Sequence, residues 1–284
     1  MDKHVPKVAV VLGGGGIKPF STIPLFSFLD EMNIPVDLLV GCSGGGILAT
    51  LYSYGYSPDE MMYEILPLIK KSIFKKNWRT FLSLLNVPFI AMDKHSAFFK
   101  PEPLRKLALE LFKNRRLEEL KPKTILQVTD FETGEGIGLE SGDLVDCIYA
   151  SSAIYPFLPP IRVNERWVFD GVFSATVPIL QAVKRNADII IVMDFLEKIQ
   201  GNPRGPLDIM MHLSKLYSKT IMANQMALTI DLHHSEIIYI KVHFEKDVSL
   251  WETEHFPLIL DAGRKAVEKQ KETILQVLNK VRSG

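Results

Sequence analysis

Apolar and polar positions along the chain fall into two rhythms. Short apolar runs ended by glycine or a polar turn alternate with stretches whose apolar residues recur every three or four positions. KVAVVL (7–12), stopped by four glycines, reads as a buried strand, and VDLLV (36–40) reads as a second. Between them FSTIPLFSFLDEM (20–32) has helical spacing with Pro24 in its first turns. GGILATLYSYG (45–55) predicts a helix stopped by Gly55. Strand, helix, strand and helix in quick succession predict a right-handed βαβ unit and a parallel sheet.

The same reading carries on downstream. TILQVTDF (124–131), ERWVFDG (165–171), DIIIVMDF (188–195) and EIIYIKV (236–242) predict further strands. Residues 58–120 read as mostly helical, and 206–230 form a Met-rich helical pattern. Residues 256–281 predict one amphipathic helix with Leu260, Ala266, Val267, Ile274 and Leu278 on its apolar side. No repeat or linker divides the chain. The expectation is one α/β domain over residues 1–284, with core motifs in 7–195, a helical insertion at about 58–120 and a C-terminal helix at about 256–281.

Composition narrows the function classes. A chain of 284 residues, 47% hydrophobic and 23% charged, buries a substantial core and suggests neither disorder nor a coiled coil. Lys plus Arg and Asp plus Glu stand at 33 each, so no net charge points to nucleic acid. Two cysteines, Cys42 and Cys147, do not make a disulfide scaffold, and MDKHVPKVAV lacks the apolar run of a signal peptide. No run reaches the roughly 18 apolar residues of a spanning helix. The expected setting is cytoplasmic, with any membrane contact peripheral.

Two glycine-rich turns carry the candidate chemistry. LGGGGIKPF (12–20) lies between a strand and a helix, where backbone N–H groups converge on an anion. It is not a Walker A loop, because Lys18 is preceded by Ile17 and followed by Pro19. The dinucleotide spacing fails as well, ending on Lys18 or Pro19. Four glycines exceed the need of one tight turn; paired N–H donors for a transient oxyanion would account for the excess.

The second turn, in LLVGCSGGGILATLY (38–52), sets Ser43 between Gly41 and Gly45 in the G-x-S-x-G spacing of a nucleophile elbow. An α/β-hydrolase places that serine after several strands and then supplies an acid and a histidine. Here Ser43 follows only the second strand. None of His4, His95, His212, His233, His234, His243 and His255 sits in a short loop directly after a strong strand with glycine beside it. WVFDGVFSATVP (167–178) instead ends a strand on Asp170, followed by Gly171. Alone, an Asp-Gly turn reads as structural; in a low-dielectric pocket its carboxylate would serve as a general base.

Three pieces in this order, GGGGIK, GCSGG and a strand-ending DG, resemble the patatin-like phospholipase family, whose Ser–Asp dyad replaces a triad. VTDFETGE (128–135) and ASSAIYPFLPPI (150–161) are similar to further family segments. The resemblance implies a three-layer α/β/α fold with a mostly parallel central sheet. It implies an acyl-enzyme on Ser43, Asp170 as base, and an oxyanion hole from the N–H groups of Gly14, Gly15 and Gly16. It also implies a lipid or acyl-ester substrate and neither metal nor organic cofactor. Lys18 matches the family's basic position, where it would hold the loop or attract anionic head groups; a solvated lysine is the plainer reading.

This chain departs from the family pattern at Pro19, at Cys42 and Gly44 where Thr and Ala are usual, and at Val172 where Gly or Ala follows Asp-Gly. These departures bear on rate and substrate range. Cys42 itself reads as packing. An acyl or thioester transferase, or a catalytically weak lipid-binding protein that kept the fold, are the alternative functions; the presence of both dyad residues argues against the latter. Phe20, Met210, Met211, Met222, Met226, Phe98, Phe99, Tyr155 and Phe157 are candidate acyl-channel residues, with plain core as the alternative. Lys70, Lys71, Lys75, Lys76 and Arg79, interleaved with Phe74, Trp78 and Phe81 and close to apolar NVPFIAM (86–92), would suit either an anionic lipid surface or a solvated helix face.

Overall fold

Successive side chains of the central strands enter two different apolar layers. In β1 (Val8–Leu12), Val8, Val10 and Leu12 join one buried cluster, while Ala9 and Val11 join another. In β2 (Leu38–Cys42), Leu39 faces the first layer, and Leu38 and Val40 face the second. A sheet covered on both faces needs apolar residues at odd and even positions alike, so these strands read as continuous apolar runs. The computed structural model describes residues 5–69, 96–195, 205, 209, 212–213, 216–225, 236–246, 248 and 253–283.

The remaining strands are β3 (Lys123–Asp130), β4 (Gly136–Leu139), β5 (Ile161–Val163), β6 (Arg166–Asp170), β7 (Ile189–Asp194) and β8 (Glu236–Lys241). Their order is β5-β6-β3-β2-β1-β7-β8, with β4 also paired to β3. The run β3-β2-β1-β7-β8 is parallel, and β4, β5 and β6 add antiparallel pairings. The larger layer receives α1 (Ile23–Glu31), α2 (Gly44–Tyr54), α3 (Glu102–Phe112) and α4 (Leu144–Ser152) through Phe26, Leu48, Phe112 and Ile148. The smaller layer is closed by α5 (Ile179–Val183) and by Met222 from a helical stretch at 216–225. This is the α/β/α sandwich that the resemblance implied.

Strand β3 does the positioning that matters for the site. Gln127 pairs with Cys42 of β2 and with Gly138 of β4, and the next residue, Val128, pairs with Asp170 of β6 and Ile137 of β4. A strand has two edges, and β4 holds one of them along this stretch. β2 and β6 therefore share the other edge. One runs parallel to β3 and the other antiparallel, so their C-terminal ends point at each other.

Some elements differ from the sequence expectation. β2 starts at Leu38 rather than Val36, because Asp37 turns back to accept the Val8 N–H at 2.8 Å. The C-terminal segment is two helices, α6 (Phe256–Glu268) and α7 (Lys271–Ser283), broken at Lys269 and Gln270. The break lets each half bury its own apolar face, Ile259, Ala262, Ala266 and Val267 in α6, then Ile274 and Leu278 in α7. β4, β5, α4 and α5 were not among the predicted elements. Within the expected insertion the chain is helical at Pro58–Glu60, Met61–Ile65, Leu66–Leu68 and α3. The basic aromatic stretch 70–81 and the apolar stretch 86–92 lie outside the described residues.

Candidate active site

Ser43 occupies the corner between β2 and α2, as the N-cap residue of the helix, with φ 53° and ψ −125°. Such a conformation in a non-glycine residue costs roughly 1–3 kcal/mol and persists only when its surroundings hold it. Close packing of the corner is one such constraint: a Cβ on Gly45 would lie 2.4 Å from the Gly13 carbonyl oxygen. A hydrogen-bond relay is another. The Ser43 N–H donates to Ser151 Oγ at 3.1 Å, and the Ser151 hydroxyl donates to the Gln127 carbonyl at 2.8 Å. Helix α4 thereby ties the elbow to β3. The N-terminal end of α2 directs its positive partial charge at the same corner.

The Ser43 hydroxyl donates to Oδ2 of Asp170 at 2.8 Å. The other carboxylate oxygen accepts the Val172 N–H at 3.0 Å and, more weakly, the Cys42 thiol at 3.9 Å. Asp170 is fully buried. Burial pushes its pKa up from 3.8 to about 7, against the opposing pull of the Val172 N–H, the Ser43 hydroxyl and the Cys42 thiol. Burial and the neighbouring Asp170 charge push the Cys42 thiol well up, so it remains protonated. The packing role expected for Cys42 therefore includes a donor contact to the carboxylate. The Asp170 main chain is also held: its carbonyl accepts Thr129 Oγ1 at 2.9 Å, and its N–H donates to Ala153 O at 3.1 Å.

The first glycine-rich turn lies across from the elbow. Gly13 and Gly14 are committed to the loop itself, donating to Met193 O at 3.0 Å and Thr176 O at 2.8 Å. Gly14, expected as an oxyanion donor, thus has its N–H occupied, because the chain from Val172 to Thr176 packs directly on it. Among the described residues the N–H groups of Gly15 and Gly16 have no hydrogen-bond acceptor, and both residues are half-buried. Gly44 shows why alanine is absent after the serine: a Cβ there would lie 1.8 Å from the Gly16 carbonyl oxygen. Lys18 places its ammonium 5.5 Å from the centre of the Phe244 ring, so it braces the loop against the segment after β8.

Ser43, Gly44 and Gly16 open into an apolar cavity of about 80 Å³ walled by Phe20, Ile47 and Leu107 among others. Of the expected channel residues, Phe20 lines it. Phe98 and Phe99 pack instead against Phe157, and Met222 lies in the layer on the other face of the sheet. Tyr155 does not line the cavity. Met210, Met211 and Met226 lie outside the described residues. Among the described residues no group of three or more His, Cys, Asp or Glu side chains is gathered to hold a metal ion. No helix there is long and apolar enough to cross a membrane. Thr129 and Ser151 were not singled out from the sequence, although both sit in quoted segments, VTDFETGE and ASSAIYPFLPPI.

Comparison with known proteins agrees with this architecture. The fold of human GIVD cytosolic phospholipase A2 superposes with a TM-score of 0.58 at 9% identity, over 98% of this chain and 63% of that one. The chain belongs to the patatin-like phospholipase family, whose model matches residues 10–183. A patatin-like phospholipase domain-containing protein of Caenorhabditis elegans is 29% identical over 60% of this chain. Lysophospholipase NTE1 of Kluyveromyces lactis is 26% identical over 66% of it. The chain spans about 12% of the length of each of these two relatives.

Proposed function

We propose that the protein is a lipid acyl hydrolase that cleaves carboxylic esters through an acyl-enzyme on Ser43. The observation that carries this reading is the 2.8 Å hydrogen bond from the Ser43 hydroxyl to a fully buried Asp170. A carboxylate with its pKa near 7 is matched to abstract a proton at neutral pH. Asp170 takes the serine proton as Oγ attacks the ester carbonyl, and the N–H groups of Gly15 and Gly16 face the developing oxyanion. The protonated Asp170 then returns its proton to the leaving alcohol. In the second half Asp170 activates water, which releases the acid and restores the serine. The apolar cavity beside Ser43 suits a hydrocarbon chain, and family membership together with lysophospholipase relatives supports a lipid ester as substrate.

Labelling with a fluorophosphonate probe tests the reading. The wild type is expected to label at Ser43 and to lose ester hydrolysis in step, while Ser43→Ala takes no label. Equal labelling of Ser43→Ala would exclude the assignment.

A further inference from the structure

The cavity beside Ser43 carries one buried polar group that the chemistry above leaves unused. Apart from Ser43 and the half-buried Thr253, its side-chain wall is apolar except at Ser152, the last residue of α4. Ser152 is only 8% exposed, and among the described residues its Oγ has no hydrogen-bond partner. Ile148, about one helical turn earlier, lines the same cavity, so this face of α4 is turned to it. A buried hydroxyl in apolar surroundings is unfavourable until something pairs with it, and native proteins leave few such groups. The neighbours of Ser152 fix where it stands. The Ser151 hydroxyl oxygen accepts the Ser43 N–H at 3.1 Å, and the Ala153 carbonyl accepts the Asp170 N–H at 3.1 Å. Ser152 therefore sits between the two residues that hold Ser43 and Asp170.

We propose that the Ser152 hydroxyl is a further substrate contact: it holds the alcohol oxygen of the ester and, after acylation, the attacking water that takes the same place. The inference rests on the acyl-enzyme reading given above. An ester has two oxygens. The carbonyl oxygen is assigned to the N–H groups of Gly15 and Gly16, and the Ser43 proton to Asp170. The alcohol oxygen has no partner until Ser152 supplies one. As the tetrahedral intermediate collapses, the bond from carbon to the alcohol oxygen breaks and Asp170 passes its proton to that oxygen. Ser152 donates a hydrogen bond to the same oxygen and keeps its own proton. Deacylation retraces this geometry. The water oxygen bonds to the acyl carbon, one water proton passes to Asp170, and the other is held in a hydrogen bond by Ser152 Oγ. The Asp170 proton then returns to Ser43 Oγ as its bond to carbon breaks. A hydroxyl both donates and accepts, so one side chain serves both halves. A donor at the departing oxygen matters most where that oxygen becomes strongly basic, as in aliphatic esters, and least for a phenolate.

Ser152→Ala and the near-isosteric Ser152→Cys test this against wild type, in preparations whose thermal unfolding matches. The substrates are ethyl octanoate and p-nitrophenyl octanoate, which share an acyl group and differ in the departing oxygen. In both variants kcat/KM for the ethyl ester is expected to fall about tenfold further than for the p-nitrophenyl ester. Acyl-enzyme on the Ser43 peptide should also accumulate above the wild-type level during p-nitrophenyl ester turnover, because deacylation slows. Ser152→Thr, which keeps the hydroxyl, narrows the gap between the two esters. Equal loss on both esters marks a packing role and would overturn the assignment, as would undiminished turnover of the ethyl ester. Ser43→Ala separates this from the catalytic reading: if it still hydrolyses the p-nitrophenyl ester, the acyl-enzyme is wrong and the role of Ser152 falls with it. A Ser43-dependent enzyme whose preference between the two esters ignores both variants removes the role of Ser152 alone.

Discussion

Ser43 and Asp170 are 127 positions apart in sequence and 2.8 Å apart across their hydrogen bond, and neither reaches the other from a long loop. Ser43 directly follows β2 and Asp170 ends β6. Adjacent residues of β3, Gln127 and Val128, set the two strand ends tip to tip. The pair is thus placed by sheet register. One direct consequence concerns Asp170→Asn, which keeps the shape and removes the proton acceptor. Its kcat should fall by about a hundredfold to ten-thousandfold with little change in KM, read from steady-state ester hydrolysis.

Activity and stability should respond to pH in opposite directions. The folded-state pKa of Asp170, about 7, lies above its ordinary 3.8, so folding takes up a proton between those values. Stability from this group is therefore lost as pH rises from about 4 to about 7, by up to roughly 4 kcal/mol. kcat/KM instead rises through about pH 7 as the carboxylate forms. Asp170→Asn should consequently gain melting temperature relative to wild type at about pH 8 more than at about pH 5. A difference in Tm that is the same at both would place the ionisation elsewhere.

Gly44→Ala should be far more damaging than an alanine at the start of a helix normally is. Its Cβ would fall 1.8 Å from the Gly16 carbonyl oxygen, so the elbow and the glycine-rich turn proposed to hold the oxyanion would be forced apart. Overpacking of this kind costs about 1–3 kcal/mol of stability. Loss of one oxyanion donor costs a further factor of about a hundred or more in kcat. Thermal unfolding and kcat measured on the same preparation check both parts.

Ser151 should behave as a positioning residue that never touches substrate. Ser151→Ala leaves the Ser43 N–H unpaired at a strained corner and removes the hydroxyl that reaches Gln127 O. An unpaired buried donor costs about 1–3 kcal/mol, so kcat should drop about tenfold or more while KM for a short ester holds. Ser151→Thr, which retains the hydroxyl, should recover most of the rate.

The sequence made the strands legible because a sheet buried on both faces needs uninterrupted apolar runs, as in KVAVVL and DIIIVMDF. The elbow was legible from Gly41, Ser43 and Gly45, whereas the strand-ending Asp170 alone read as a structural turn and was singled out as a base only through the family resemblance. What stayed hidden depends on register and on contacts between distant segments. Spacing alone cannot show that Gly14 spends its N–H on Thr176, or that Ser151 bridges Ser43 to Gln127. The end of α6 was hidden for a different reason. Lys269 and Gln270 carry no glycine or proline to mark the break, and the apolar positions on either side continue a helical rhythm.

Mass spectrometry of the protein quenched during turnover of a long-chain p-nitrophenyl ester is the most direct measurement. An acyl adduct on the peptide carrying Ser43 is expected in the wild type, formed and discharged at rates consistent with kcat, and absent in Ser43→Ala. Undiminished hydrolysis by Ser43→Ala, with no adduct on that peptide in the wild type, would contradict an acyl-enzyme at this serine.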